Sequence, residues 1–123
     1  MQSQYKKTLV LGASANPNRY SYLAVHKLRE HQHPVVAIGK RNALVADVPV
    51  QTKTLPIPDL DTVTLYLNSE NQKNYYDYIL SLRPLRVIFN PGAENPEFEK
   101  ILNENHIQTL EACSLVLLGT GQF

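Results

Sequence analysis

Cysteine occurs once, at Cys113, so no internal disulfide can form, which suits a reducing cytoplasm. Charge of neither sign dominates: 12 Lys and Arg against 11 Asp and Glu leave a formal net charge of +1. That balance gives no case for nucleic acid or an acidic membrane as partner. No run of like charges exceeds Lys6-Lys7 or Lys40-Arg41, and basic residues do not interleave with aromatics as in an RNA-binding surface. Long apolar runs are missing too, so nothing approaches the roughly 20 residues of a transmembrane helix. Lys6-Lys7, Leu9–Leu11 and Ala13-Ser14-Ala15 imitate the three regions of a signal peptide. The apolar part falls short of the roughly 7 to 15 residues required, and cleavage there would remove the first strand, so no leader is expected. His26, His31, His33 and His106 lack the spacing of a zinc site, and no second cysteine could complete one. They are expected to be solvent-facing or structural.

What is present is an ordinary globular composition, 43% hydrophobic and 19% charged, in a chain sized for one domain spanning residues 1–123. Apolar strands and helical patterns alternate throughout. Strands are expected at about Thr8–Leu11, Pro34–Ile38, Thr62–Leu67, Arg86–Phe89 and Ile107–Leu110. Helices are expected at about Ser21–Gln32, Gln72–Leu82 and Pro96–Asn105, the last with Asn95 as its cap and Pro96 in its first turn. Ser114–Leu118 reads as a last short helix or strand. Asn42–Pro58, rich in Val, Thr and Pro, reads as an edge excursion and loop without a helix. The alternation implies α/β architecture: a doubly wound, mostly parallel five-stranded sheet in three layers. In the common order, the strands at Thr8–Leu11 and Arg86–Phe89 would lie side by side, and a ligand would bind beyond their carboxyl ends.

The first strand runs into Gly12-Ala13-Ser14-Ala15-Asn16-Pro17-Asn18-Arg19-Tyr20-Ser21. A glycine turn followed by a helix N-terminus is how such folds build an anion site. The full G-x-G-x-x-G fingerprint is absent, with Ser14 at the second glycine position and Pro17 at the third. Arg19 lies where a pyrophosphate would, and the alternative for it is a surface arginine paired with Glu or Asp. Ser14 and Ser21 could donate to phosphate, although capping the helix accounts for Ser21. The second strand ends Ile38-Gly39-Lys40-Arg41, two cations where an NAD site places an acid. Cations there suit a nucleotide with an extra ribose phosphate, such as NADP or coenzyme A. Asn90-Pro91-Gly92 forms the second loop expected at the ligand, and Glu94, Glu97 and Glu99 beside it complement a helix dipole. Cys113 has no identifiable partner base, and no general acid–base set emerges. Tyr75, Tyr76 and Tyr78, with Ile79 and Leu82, read as a helix laid half on the core.

The opening Val10–Ser21 resembles that of the stand-alone CoA-binding domain family, related to the N-terminal domain of the succinyl-CoA synthetase α subunit. The similarity extends through the second strand, Asp61–Leu67, Val87–Gly92 and the Cys113 region. It implies a Rossmann-like fold holding coenzyme A or an acyl-CoA, with pyrophosphate on Gly12, Ala13, Ser14 and Arg19. Lys40 would then face the adenosine phosphate, and Asn90-Pro91-Gly92 the pantetheine arm. The synthetase's second domain, which carries the phosphorylated histidine, has no counterpart in these residues. The resemblance therefore implies a cytoplasmic, non-catalytic binding or regulatory protein for a small-molecule nucleotide cofactor, either as a homo-oligomer or with a partner enzyme. The alternatives are an NAD(P)(H)-binding sensor and a synthetase subunit that needs a partner chain.

Overall fold

The computed structural model describes residues 5–123. Its first strand, β1 (Thr8–Ala13), is buried almost throughout, with Leu9 and Leu11 in the core on one side of the sheet and Val10 in the core on the other. Burial on both faces marks a central strand of a parallel sheet. Helix α1 (Tyr20–Glu30) leads to β2 (Val35–Gly39), which pairs with β1 in parallel from Thr8↔Val35 onward. The chain then forms β3 (Ala43–Val45) and β4 (Val48–Gln51), β5 (Thr62–Leu65), a short α2 (Ser69–Gln72) and a 3₁₀ turn (Lys73–Tyr75). After these come α3 (Tyr76–Leu82), β6 (Arg86–Phe89), α4 (Pro96–Glu104), β7 (Gln108–Glu111) and α5 (Ser114–Gly119).

The sheet has seven strands in the order β3-β4-β2-β1-β5-β6-β7, where the sequence pattern predicted five. The two additional strands come from the stretch read as an edge excursion. It forms an antiparallel hairpin, β3 on β4, and β4 joins β2 in parallel through Ala37↔Val50 and Ile38↔Gln51. Val45, Val48 and Val50 are buried there, and Arg29 of α1 clamps the turn through Asp47 at 2.9 and 3.0 Å. The neighbour of β1 also differs from expectation. It is β5, in register from Thr8↔Thr62 to Leu11↔Leu65, and β6 lies one strand further out. Once β4 is counted as the third parallel strand of the first half, the doubly wound order is restored; β3 is the antiparallel addition at the edge.

Helices cover both faces. Val25 and Leu28 of α1 and Leu118 of α5 pack in one cluster with Val10, Ala37 and Ile88. Ile79 of α3 and Phe98 and Leu102 of α4 pack in the other, with Leu9, Leu11, Val63, Leu65 and Phe89. Tyr75, Tyr76, Tyr78 and Leu82 lie partly buried against that second cluster, as their spacing predicted. Asn95 caps α4 by accepting from the Phe98 amide, with Pro96 in its first turn. The carboxyl ends of the parallel strands share one edge, and the turn after β1 opens there. No helix among the described residues is long and apolar enough to cross a membrane.

Candidate functional site

Beyond that carboxyl edge lies a cleft of about 940 Å³, the size of a typical cofactor site. One wall is the Gly12–Ser21 loop. Gly12 has a φ of 93° and sits at an irregularity where the β1–β2 register shifts between Leu11 and Ala13. A Cβ there would lie 2.9 Å from the Tyr66 carbonyl oxygen and 3.1 Å from Leu67 Cδ2. Glycine is thus demanded by the neighbouring chain as well as by the backbone angle. The loop braces itself: the Ser14 hydroxyl accepts from the Asn16 amide at 3.0 Å, Asn16 Oδ1 accepts from the Asn18 amide at 3.0 Å, and the Asn16 carbonyl accepts from the Arg19 amide at 3.0 Å.

Arg19, in place of Ser21, occupies the cap position of α1, and it makes no side-chain capping bond. Ser21 is buried within the first turn. The Tyr22 and Leu23 amides bond the Arg19 carbonyl, whereas the Tyr20 and Ser21 amides have no acceptor among the described residues. An open helix N-terminus therefore faces the cleft. Lys40 and Arg41 line the same side, both exposed. Arg19, Lys40 and Arg41 form no ion pair among the described residues, where salt bridges join only Lys27–Glu30, Arg29–Asp47 and Lys73–Glu70. Among the described residues, no Asp, Glu, His or Cys lines the cleft.

The opposite wall combines Tyr66, Leu67, Asn68, Asn71, Asn74 and Tyr75 with Pro91-Gly92-Ala93. Sequence reasoning missed its first part because the Gln72–Leu82 helix was started too late. Three asparagines three residues apart, directly after an apolar strand, were the available signal. Gln72 is fully buried and ties this wall together: its side-chain amide donates to the Leu67 carbonyl at 2.8 Å and the Ala93 carbonyl at 2.7 Å. Asn95 Nδ2 in turn donates to Gln72 Oε1 at 2.9 Å and to the Tyr76 hydroxyl at 2.7 Å.

Asn90-Pro91-Gly92-Ala93 is a tight turn closed by the Ala93 amide on the Asn90 carbonyl at 2.8 Å, with φ 92° at Gly92. Pro91 and Gly92 reach the cleft, but the Asn90 side chain turns inward and is buried. Its Nδ2 donates to Thr64 Oγ1 at 2.7 Å and the Leu65 carbonyl at 2.9 Å, and its Oδ1 accepts from the Ser114 amide at 2.8 Å. Thr64 and Ser114 complete the cluster, hydroxyl to hydroxyl at 2.9 Å. Beside them the Tyr66 phenol is pushed up to about 12, above all by burial. Cys113 is partly buried at the cap of α5 and is not part of the cleft lining. Of the histidines, His33 is structural: it is buried and accepts from the Lys6 amide at 2.9 Å.

The acids near the second loop stay outside the cleft. The Glu94 carboxylate accepts from the Gly92 amide at 3.0 and 3.1 Å, and Glu97 accepts from the Tyr76 hydroxyl at 3.3 Å. Glu99 is half-buried, and its carboxyl is pushed up to about 7, first by burial and then by the hydrogen bond and charge of Glu111. A folded-state value above the ordinary one contributes stability that is complete below about 4.5 and is lost as pH rises through about 7. Glu99→Gln is therefore expected to flatten the fall in melting temperature between pH 5 and pH 8. An unchanged slope would show that the Glu99 carboxyl is not held above its ordinary value.

A parallel sheet wound on both faces, with a glycine turn running into a helix at its carboxyl edge, defines a Rossmann-like α/β fold. The family described as the CoA binding domain matches residues 6–119, and the chain belongs to it. Solved structures agree. The chain is similar to an uncharacterised protein at 47% identity, covering 98% of this chain and 100% of that one, with a TM-score of 0.95. It is similar to cell-free ID.343 from Thermus thermophilus at 25% identity, covering 98% and 92%, with a TM-score of 0.83. A hypothetical protein from Pyrococcus horikoshii OT3, 23% identical over 92% of this chain and 81% of its own, shares the fold with a TM-score of 0.82. No curated protein sequence matches significantly.

Proposed function

We propose that the protein binds coenzyme A or an acyl-CoA in this cleft and does not turn it over alone. The observation that carries the reading is the pairing of an open α1 N-terminus with Arg19, Lys40 and Arg41, none neutralised by a carboxylate. Phosphate is what such a wall recognises. The pyrophosphate sits on Gly12, Ala13, Ser14, Arg19 and Ser21, and the adenosine phosphate faces Lys40 and Arg41. The arm continues toward Pro91 and Gly92, on the loop that Asn90 holds from behind. Membership of the CoA-binding family supports coenzyme A over other phosphate esters. Among the described residues, no carboxylate, imidazole or thiol lines the cleft to move a proton. Acyl transfer would need a partner chain, and the lone thiol fits a cytoplasmic setting.

A ligand at 100 times its dissociation constant adds about 2.7 kcal/mol, a rise of several degrees in melting temperature. Millimolar CoA is expected to give that rise. Dephospho-CoA, lacking only the ribose phosphate, is expected to bind roughly tenfold more weakly, with the difference shrinking as salt is added. No shift with CoA, acetyl-CoA or longer acyl-CoAs would overturn the proposal. A shift with NADPH alone would assign the cleft to a nicotinamide nucleotide.

A further inference from the structure

The cleft has two unlike halves. Its cations gather at the Gly12 loop and the end of β2, while the far wall, from Tyr66 through Asn68, Asn71 and Asn74 to Ala93, carries no charge. The asparagines recur every third residue through α2 and the 3₁₀ turn, so they share one side of that element. The Asn68 side chain is spent as the cap, accepting from the Asn71 amide at 2.8 Å. The side-chain amides of Asn71 and Asn74 are exposed and have no hydrogen-bond partner among the described residues. They do not wave freely on a loose segment. Buried Gln72, between them, pins the backbone to Leu67 and Ala93. The wall is therefore set before any ligand arrives.

An asparagine side chain presents a donor and an acceptor side by side. Two of them on a fixed wall match a chain of secondary amides, each of which also offers one donor and one acceptor. They match phosphate or carboxylate poorly, because those groups only accept. We propose that Asn71 and Asn74 bind the peptide-like amide arm of the ligand, and so hold the uncharged half of the molecule against this wall. The inference rests on the reading of the ligand as coenzyme A, and it adds which residues hold the non-nucleotide half.

The test titrates CoA and 3′-phosphoadenosine 5′-diphosphate, which keeps all three phosphates and lacks only the arm, into wild-type protein and into Asn71→Ala with Asn74→Ala. The wild type is expected to bind CoA about tenfold or more above the armless nucleotide, as two ordinary hydrogen bonds allow. The double variant is expected to lose most of that margin while binding the armless nucleotide as before, which also shows that it is folded. CoA affinity unchanged by the double substitution would overturn the inference and leave the CoA reading intact. Equal wild-type affinity for both ligands would overturn it as well. Wild-type protein that binds neither ligand would overturn the CoA reading and this inference with it.

Discussion

Gly39→Ala is expected to lower the unfolding free energy by about 3 kcal/mol or more, the upper end of what overpacking costs. At roughly 4 °C per kcal/mol for a chain of this size, the thermal midpoint falls by about 12 °C. Backbone strain is not the reason, because Gly39 is not among the residues of positive φ. The cause is the partner strand. The register shift in β1 sets Ala13 opposite Gly39, and a Cβ added there would fall on the Ala13 carbonyl oxygen, with Val50 Cγ1 at 3.2 Å behind it. Neither neighbour can yield, since one is backbone in a central strand and the other is 2% exposed. Gly119→Ala is the control: nothing lies within 4 Å of its added Cβ, so it is expected to change stability by less than about 0.5 kcal/mol. Equal midpoints for the two variants would show that β1 and β2 separate easily at the cleft.

The glycines show where the sequence was legible and where it was not. Gly12 stood out because it ends an apolar run before a polar loop. That pattern pointed correctly to a turn of positive φ at the edge of the cleft. What it could not reveal is that the space beside Gly12 is filled by the Tyr66 backbone, since that contact joins segments more than fifty residues apart in sequence. The glycine loop predicts a close approach to a ligand; the structure adds a second close approach, to the Tyr66 backbone just past β5. The β3–β4 hairpin was missed for a different reason. Pro49 sits inside a four-residue strand, and proline argues against a strand interior. It is tolerated here because β4 bonds β2 through Val50 and Gln51, past the proline. Losing that strand from the count moved the switch point by one position, from β5 to β6.

Buried polar side chains were the second blind spot. Asn90 and Gln72 look like loop and helix-start residues in the sequence, and nothing local says which way they turn. Both turn inward, because several backbone groups meet at the carboxyl edge without a ladder to join. The strands end at different heights there, and carbonyls such as those of Leu65 and Ala93 need donors. An amide side chain supplies them and fixes the loops that a ligand would touch. The cleft is thus framed by residues that need never contact its occupant.

Asn90→Ala is expected to cost about 3 kcal/mol, measured by urea unfolding at unchanged slope. It removes the donors to Thr64 and Leu65 and, more seriously, the acceptor of the buried Ser114 amide. A buried orphan donor costs about 1 to 3 kcal/mol on its own, and the space left by the side chain adds to it. Pro91→Ala, one residue on and exposed, is expected to change stability far less. A loss below about 0.5 kcal/mol for Asn90→Ala would mean that water or a shifted α5 replaces the network. Asn90→Asp separates the two roles of the side chain. The carboxylate can still accept from Ser114 but can donate neither to Thr64 nor to Leu65, and it places an uncompensated charge beside buried hydroxyls. Burial raises such a carboxyl above its ordinary value, so its ionisation opposes folding as pH rises. At neutral pH Asn90→Asp is therefore expected to be less stable than Asn90→Ala. The gap should close as pH falls and the protonated acid regains a donor, and a gap independent of pH would show that residue 90 is solvated.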